Sequence, residues 1–325
     1  MDGSSNAVTT GRRRGLRDED GHMANRCLPG VWATAAGCLL GLVVACTPMA
    51  TGSNAPMSNA PERSPASSTP TAAGPVTTVR VLQLNLCNSG IAACYTGRAR
   101  TQAAAVIRAE APDLVTLNEV CRDDLPPLRE SLANAFPGAD VVSAFQAAHD
   151  RRTGAEFRCR NGESYGIGLV SRWPSVPGST PGGVYPDQDL QDPEERVWLC
   201  LTAQSTPAIT TCTTHLDDRK REVAVAQCDY LFQTVITKVH QEGAADPVVL
   251  GGDLNLGSGD DPDLRSCLPA DFGVADDGGV QHIVATPGLA VTASRTIDLG
   301  DTTDHPGLLV TLAIRSCGGG SAGSC

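Results

Sequence analysis

Several stretches of this chain read as short strands that run into a side chain able to hold a cation or move a proton. That repetition limits the fold more than any other feature. Val79-Arg80-Val81-Leu82-Gln83-Leu84-Asn85-Leu86 alternates apolar and polar residues, as a strand does. Asp113-Leu114-Val115-Thr116-Leu117 reads as a buried strand ending at Asn118-Glu119. Thr210 to Thr214 runs into His215, and Pro247 to Leu250 is broken by Gly251-Gly252 before Asp253 and Asn255. Asp304-His305 stands before a last strand, Gly307 to Ile314. Tyr165 to Ser171, halted by Trp173-Pro174, and Gln281 to Thr286 complete the strands. Helices are predicted over Arg98 to Ala109, where Ala111-Pro112 stops the run, and over Asp218 to Gln241. In the second, Val223, Ala226, Cys228, Leu231, Val235, Ile236 and Val239 form the apolar stripe. Strands interleaved with helices, plus an antiparallel hairpin, predict a mixed α/β (α+β) domain with two sheets packed together.

Carboxylates, amides and imidazoles gathered at strand ends are what a hard divalent cation and a phosphodiester require. Mg²⁺ takes one or two carboxylates and keeps several waters, leaving room for phosphate oxygens. Taken singly, each element has an ordinary explanation. A Glu after a strand is usually a solvated rim residue, and Gly-Gly-Asp-Leu-Asn also suits a turn. Asp-His before a strand is often a cap, and His149, His240 and His282 show that His is not rare here. Their common position at strand ends singles the set out.

In order along the chain, Leu82-Gln83-Leu84-Asn85, Leu117-Asn118-Glu119, Gly166-Ile167-Gly168-Leu169-Val170-Ser171-Arg172, Thr213-Thr214-His215-Leu216, Gly252-Asp253-Leu254-Asn255 and Thr303-Asp304-His305 resemble the successive motifs of the endonuclease/exonuclease/phosphatase superfamily. The resemblance covers about residues 79–315. It implies a four-layer α/β sandwich, two mixed β-sheets flanked by helices, with the site at one end. It makes Glu119 the principal Mg²⁺ ligand, assisted by Asn85 and Asp304, with Mn²⁺ or Ca²⁺ as alternatives. Asp253 would orient or deprotonate the attacking water, and Asn255 would hold a phosphate oxygen. His305 would act as base or as donor to the phosphoryl group, and His215 would contact the phosphate or assist the leaving group.

One position departs from the family. There, a strand of the form Asp-Tyr-Ile or Asp-Arg-Ile supplies the carboxylate that orients the catalytic His. Here the matching stretch is Val280-Gln281-His282-Ile283-Val284, with Gln281 in the Asp position. A neutral amide stabilises an imidazolium less than a carboxylate does. Asp276 or Asp277 is the alternative partner.

The first 46 residues read as an export signal. Met23-Ala24-Asn25-Arg26 makes a better n-region than the distant triplet Arg12 to Arg14, so translation from Met23 is an alternative to Met1. The apolar run Val31 to Ala45 has the length of a signal-peptide core. Val43-Val44-Ala45-Cys46 resembles a bacterial lipobox, in which the cysteine carries the lipid. Residues 47–77, rich in Pro, Ser and Thr, bury too little to order themselves and read as a tether. Residues 78–316 form the predicted domain and 317–325 a flexible tail.

Of thirteen cysteines, ten follow Cys46, with no CxxC spacing, which favours disulfides in an oxidising compartment over a zinc site. Cys200 and Cys212 are equidistant from Thr206 and fall opposite each other if Arg196 to Leu201 and Ile209 to Thr214 form a hairpin. The simplest remaining pairs are Cys87–Cys94, Cys121–Cys159, Cys228–Cys267 and Cys317–Cys325.

The formal charge is −11, and removing residues 1–46 leaves 20 basic against 32 acidic side chains, or −12. That opposes tight nonspecific binding to nucleic acid, which depends on cations at the phosphates. The expected protein is an exported, monomeric, metal-dependent phosphodiester hydrolase held at a membrane through lipidated Cys46. An endonuclease of DNase type is the first reading. The alternatives are a sphingomyelinase-like phospholipid phosphodiesterase and a non-catalytic, disulfide-stapled binding module.

Overall fold

A computed structural model describes residues 77–242 and 246–314. The expected export signal with Cys46, the tether up to residue 76, and the tail with Cys317 and Cys325 lie outside the described residues. Twelve strands form two six-stranded sheets. The first runs in the order β11 (Leu289–Ile297), β12 (Gly307–Ile314), β1 (Thr78–Asn85), β2 (Leu114–Cys121), β4 (Tyr165–Ser171), β3 (Val142–Ala147). The second runs β5 (Gly182–Val184), β6 (Val197–Ala203), β7 (Ile209–His215), β8 (Val248–Asp253), β10 (Gln281–Ala285), β9 (Gly273–Asp276).

Strand periodicity builds the layers. Along β1, Leu82 and Leu84 pack under the helices α1 (Ala99–Glu110) and α2 (Leu125–Ala135), while Val79 and Val81 point into the space between the sheets. Along β8, Val248 and Leu250 meet α3 (Arg221–Tyr230) and the π-helical segment Leu231–Ile236 that follows it. Val249 of β8 faces β1. The result is the expected helix–sheet–sheet–helix sandwich. A further helix, α4 (Thr237–Glu242), continues from the π segment.

Toward one end the apolar filling between the sheets gives way to a buried polar seam. Gln83 donates to Asn118 Oδ1 at 2.6 Å and to Gln281 Oε1 at 3.1 Å. Asn118 in turn donates to the Thr214 carbonyl at 2.9 Å and accepts from the Asp253 backbone N–H at 2.8 Å. Side chains from β1 and β2 are thereby tied to β7, β8 and β10 of the facing sheet. Because β1/β2 and β7/β8 are parallel pairs, the carboxyl ends of all four strands reach the same edge. Asn85 lies beside Asn118, and His215 beside Asp253.

Three boundaries differ from the expectation. β2 does not stop at Asn118-Glu119 but continues to Cys121, with a register shift between Leu117 and Val120. Glu119 takes a left-handed φ of 55°, so the irregularity turns its side chain without ending the strand. Gly251-Gly252 does not break β8 either, for both residues lie within it. A Cβ on Gly251 would fall 2.2 Å from Thr116 Oγ1, and one on Gly252 would fall 2.3 Å from the Thr214 carbonyl. These glycines are there for close approach, one across the seam and one to the neighbouring strand. Finally, the long helix starts at Arg221, because Asp217 accepts from the Arg219 and Lys220 amides and holds a turn before it. Its buried side begins at Ala224 and Cys228, while Val223 and Ala226 are half-buried.

Four disulfides link Cys87–Cys94, Cys121–Cys159, Cys200–Cys212 and Cys228–Cys267. Cys200 and Cys212 are directly opposed in the β6–β7 hairpin, with Cα atoms 4.0 Å apart. Among the described residues no helix is long and apolar enough to cross a membrane.

Gly251→Ala forces a Cβ against the seam and is expected to cost about 1–3 kcal/mol of unfolding free energy in urea titration. Gly273→Ala meets only ordinary van der Waals contact in β9 and is the control. Equal losses at the two positions would show that the sheets can separate to admit a methyl group.

Candidate active site

The strand ends open into a polar cavity of about 760 Å³, bordered by Glu119, Asp192, Glu194, Arg196, His215, Asp218, Asp253, Asn255, Asp304 and His305. Every sequence-predicted site residue except Asn85 borders it. Asn85 lies underneath, fully buried, and its Nδ2 donates to Glu119 Oε1 at 2.9 Å and to Asp253 Oδ2 at 3.0 Å. Its Oδ1 is taken by the Cys87 backbone N–H at 3.1 Å. In this arrangement the Asn85 amide nitrogen holds two carboxylates together, and its oxygen keeps one lone pair beyond that given to Cys87.

Asp253 is 1% exposed, and its Oδ2 also accepts from Gln281 Nε2 at 2.7 Å and faces His305 Nε2 at 3.4 Å. Burial raises the Asp253 pKa, a shift that His305 and the amides of Asn85 and Gln281 reduce. Gln281 therefore serves Asp253, and no hydrogen bond joins it to His305. Asp276 and Asp277 are engaged by Ser258 and by the Gly278, Gly279 and Gln281 amides. Among the described residues the carboxylates within 4 Å of His305 are Asp253 and Asp304, the latter at 3.8 Å. Neither proposed substitute orients this imidazole.

Asp304 is half exposed and sits on a loop anchored by Thr303, whose hydroxyl donates to the Asn85 carbonyl at 3.0 Å. Asn255, in a left-handed backbone with φ 49°, donates through Nδ2 to the Leu216 carbonyl at 2.9 Å. Two non-glycine residues in that strained region, Glu119 and Asn255, both border the cavity. Such strain is held only where the surroundings enforce it.

Glu119 is one of the carboxylates that border the cavity. Burial raises its pKa, the Asn85 amide and Arg196 lower it, and Asp253 and Asp304 raise it again. Three carboxylates whose charges resist one another over a water-accessible space fit a hard divalent cation that keeps part of its hydration shell. Among the described residues the group of three donor side chains whose ligand atoms lie within 4.8 Å of one another is Cys87, Cys94 and Asp304, which is no such site, since its two sulfurs are bonded to each other.

The motif reading missed Arg196, Glu194, Asp192 and Asp218. Arg196, 4% exposed, contacts His215 Nδ1 at 2.9 Å through Nη1 and Asp218 Oδ1 at 2.6 Å through Nη2. Burial pushes the Glu194 carboxyl up to about 7, against the pull of Arg196. The available signal was a lone Arg opening a strand whose hairpin partner ends on the site histidine.

A sandwich of two mixed sheets with carboxylates, amides and imidazoles at one end of its parallel strand pairs defines a hydrolase architecture. The chain belongs to the Endonuclease/Exonuclease/phosphatase family, whose model matches residues 82–305. A solved endonuclease/exonuclease/phosphatase from Beutenbergia cavernae is 25% identical, with a TM-score of 0.57, covering 74% of this chain and 72% of that one. The human Nocturnin catalytic domain with bound sulfate is 16% identical, TM-score 0.54, covering 74% and 94%. ANGEL2, a 2',3'-cyclic phosphatase, is 15% identical, TM-score 0.51, covering 73% and 95%. No curated protein matches significantly.

Glu119→Gln keeps the acceptor for Asn85 and removes the buried charge. A carboxyl whose folded pKa is raised penalises folding at neutral pH, and the penalty fades as pH falls through that pKa and is gone below the unfolded value of about 4.3. The variant is therefore expected to be more stable than the wild type at pH 7 in EDTA, with the gain vanishing near pH 4. Thermal unfolding at the two pH values measures it.

Proposed function

We propose that this protein is an exported, metal-dependent phosphodiester hydrolase, with nucleic acid as its first substrate class. The observation that carries the reading is the meeting of Glu119, Asp253, Asn255, His305 and Asp304 at one cavity, with Asn85 bracing two of the carboxylates from below. Glu119 and Asp304 are the oxygen donors that would hold Mg²⁺, and such an ion would stabilise charge developing on phosphoryl oxygens. Asp253 is fixed by Asn85 and Gln281 and faces His305, so it is placed to orient a water and accept its proton. Asn255 retains one amide N–H beyond that given to Leu216 and is placed to donate to a phosphate oxygen. The four disulfides support export to an oxidising compartment. Lipidation of Cys46 would then place the domain at a membrane surface.

A phospholipid substrate is the second reading, favoured by the exposed Ile91 on the Cys87–Cys94 loop at the cavity rim, 58% exposed. The mature domain is to be assayed on bis-p-nitrophenyl phosphate, DNA and sphingomyelin, with Mg²⁺ and with EDTA. EDTA-sensitive turnover of the first two is expected, and Asp253→Ala and His305→Ala should each lose at least about 10²-fold. Turnover of sphingomyelin alone would move the substrate to lipid. Activity that survives EDTA and both substitutions undiminished would overturn the catalytic assignment.

A further inference from the structure

His215 closes one side of the cavity at the end of β7, and its environment fixes which of its nitrogens carries hydrogen. Arg196 Nη1 lies 2.9 Å from Nδ1. A guanidinium has five donors and no acceptor, and it does not deprotonate in proteins. Nδ1 must therefore be the acceptor and bear a lone pair. In a neutral imidazole the hydrogen then resides on Nε2, and among the described residues Nε2 has no hydrogen-bond partner. His215 borders the cavity, where a phosphoryl group would meet that free N–H.

The reverse arrangements fail on charge. A second proton on the ring would set an N–H against a guanidinium N–H. Burial, Arg196 and His305 all push the His215 pKa well below the ordinary value. Arg196 is itself immobilised, paired with Asp218 at 2.6 Å and Glu194 at 3.4 Å, with Asp192 at 3.9 Å. It is held by three carboxylates while it holds the ring.

We propose that Arg196 is a positioning residue that locks His215 as the Nε2–H tautomer, making His215 a hydrogen-bond donor to the phosphoryl group and not a carrier of the transferred proton. The catalytic meaning rests on the phosphodiesterase reading, whereas the tautomer does not. A fixed donor aimed at developing negative charge needs no reorganisation in the transition state. Proton transfer is left to Asp253 and His305.

The test has two arms. In protein carrying ¹⁵N-labelled histidine, the resonances that vanish in His215→Gln should report an unprotonated Nδ1 and a protonated Nε2 at neutral pH. Arg196→Lys should keep that pattern and Arg196→Met should release it to a mixture. A protonated Nδ1 in the wild type would overturn the lock. In the second arm, Gln places an amide N–H near the position of Nε2 but cannot shuttle a proton. His215→Gln is expected to hydrolyse bis-p-nitrophenyl phosphate at least about tenfold faster than His215→Ala. Equal loss in the two variants would show that His215 carries a proton. The wild-type spectrum and the His215 pair stand even if Arg196→Met does not fold. A wild type without turnover would defeat the functional reading while the spectrum still decides the tautomer.

Discussion

The Asn118 amide is the point on which this structure turns. It is fully buried between the sheets, and its oxygen and nitrogen are both satisfied by groups from different strands. An unsatisfied buried amide costs several times what a satisfied one contributes. The sheets are thus fixed in one register relative to each other near the site. Hydrophobic packing between Val81, Val249 and Ile283 brings the sheets together without specifying that register. The seam makes the strand ends coincide, and so places Asp253 of one sheet beside Asn85 of the other.

Much of this was legible in the sequence, for physical reasons. Period-two alternation identified β1, and short apolar runs bounded by breakers identified β4, β8 and β12. The Cys200–Cys212 pair followed from hairpin symmetry. Glu119, His215, Asp253, Asn255, Asp304 and His305 were legible because they sit beside strands whose apolar pattern was clear. The helix α2 was not assigned; Pro126 and Pro127 stand in its first turn, where proline is tolerated. β11 was missed because its middle is exposed and polar, with no apolar face to count. Gly251-Gly252 misled by composition: their purpose is the approach of Thr116 and Thr214, a tertiary fact with no local signature. Arg196 escaped for the same reason, because its partners His215 and Asp218 are brought to it by the hairpin.

The cavity is electrostatically divided. Around Arg196 stand the carboxylates of Glu194, Asp192 and Asp218, with Arg219 also 3.8 Å from Asp192, whereas Asp253 is met by the amides of Asn85 and Gln281 and by His305. The two histidines are correspondingly unlike. His215 meets a positive charge through Nδ1, and His305 meets negative charge through Nε2. Two imidazoles in one cavity thus have neighbours of opposite charge. Gln281 belongs to the same division, since its amide steadies Asp253 without adding another carboxylate.

The disulfides respect the two halves of the sandwich. Cys87–Cys94 and Cys121–Cys159 lie in the half built on the first sheet, and Cys200–Cys212 and Cys228–Cys267 in the half built on the second. Among the described residues no disulfide crosses the seam. Each of these cross-links constrains one half alone, because a cross-link restricts only the loop it closes. The fit of one sheet on the other rests on shared apolar packing and on the buried amides of Gln83, Asn118 and Gln281. Native pairing of these four cross-links would then leave the meeting of the sheets, and with it the site, to be secured by non-covalent contacts alone.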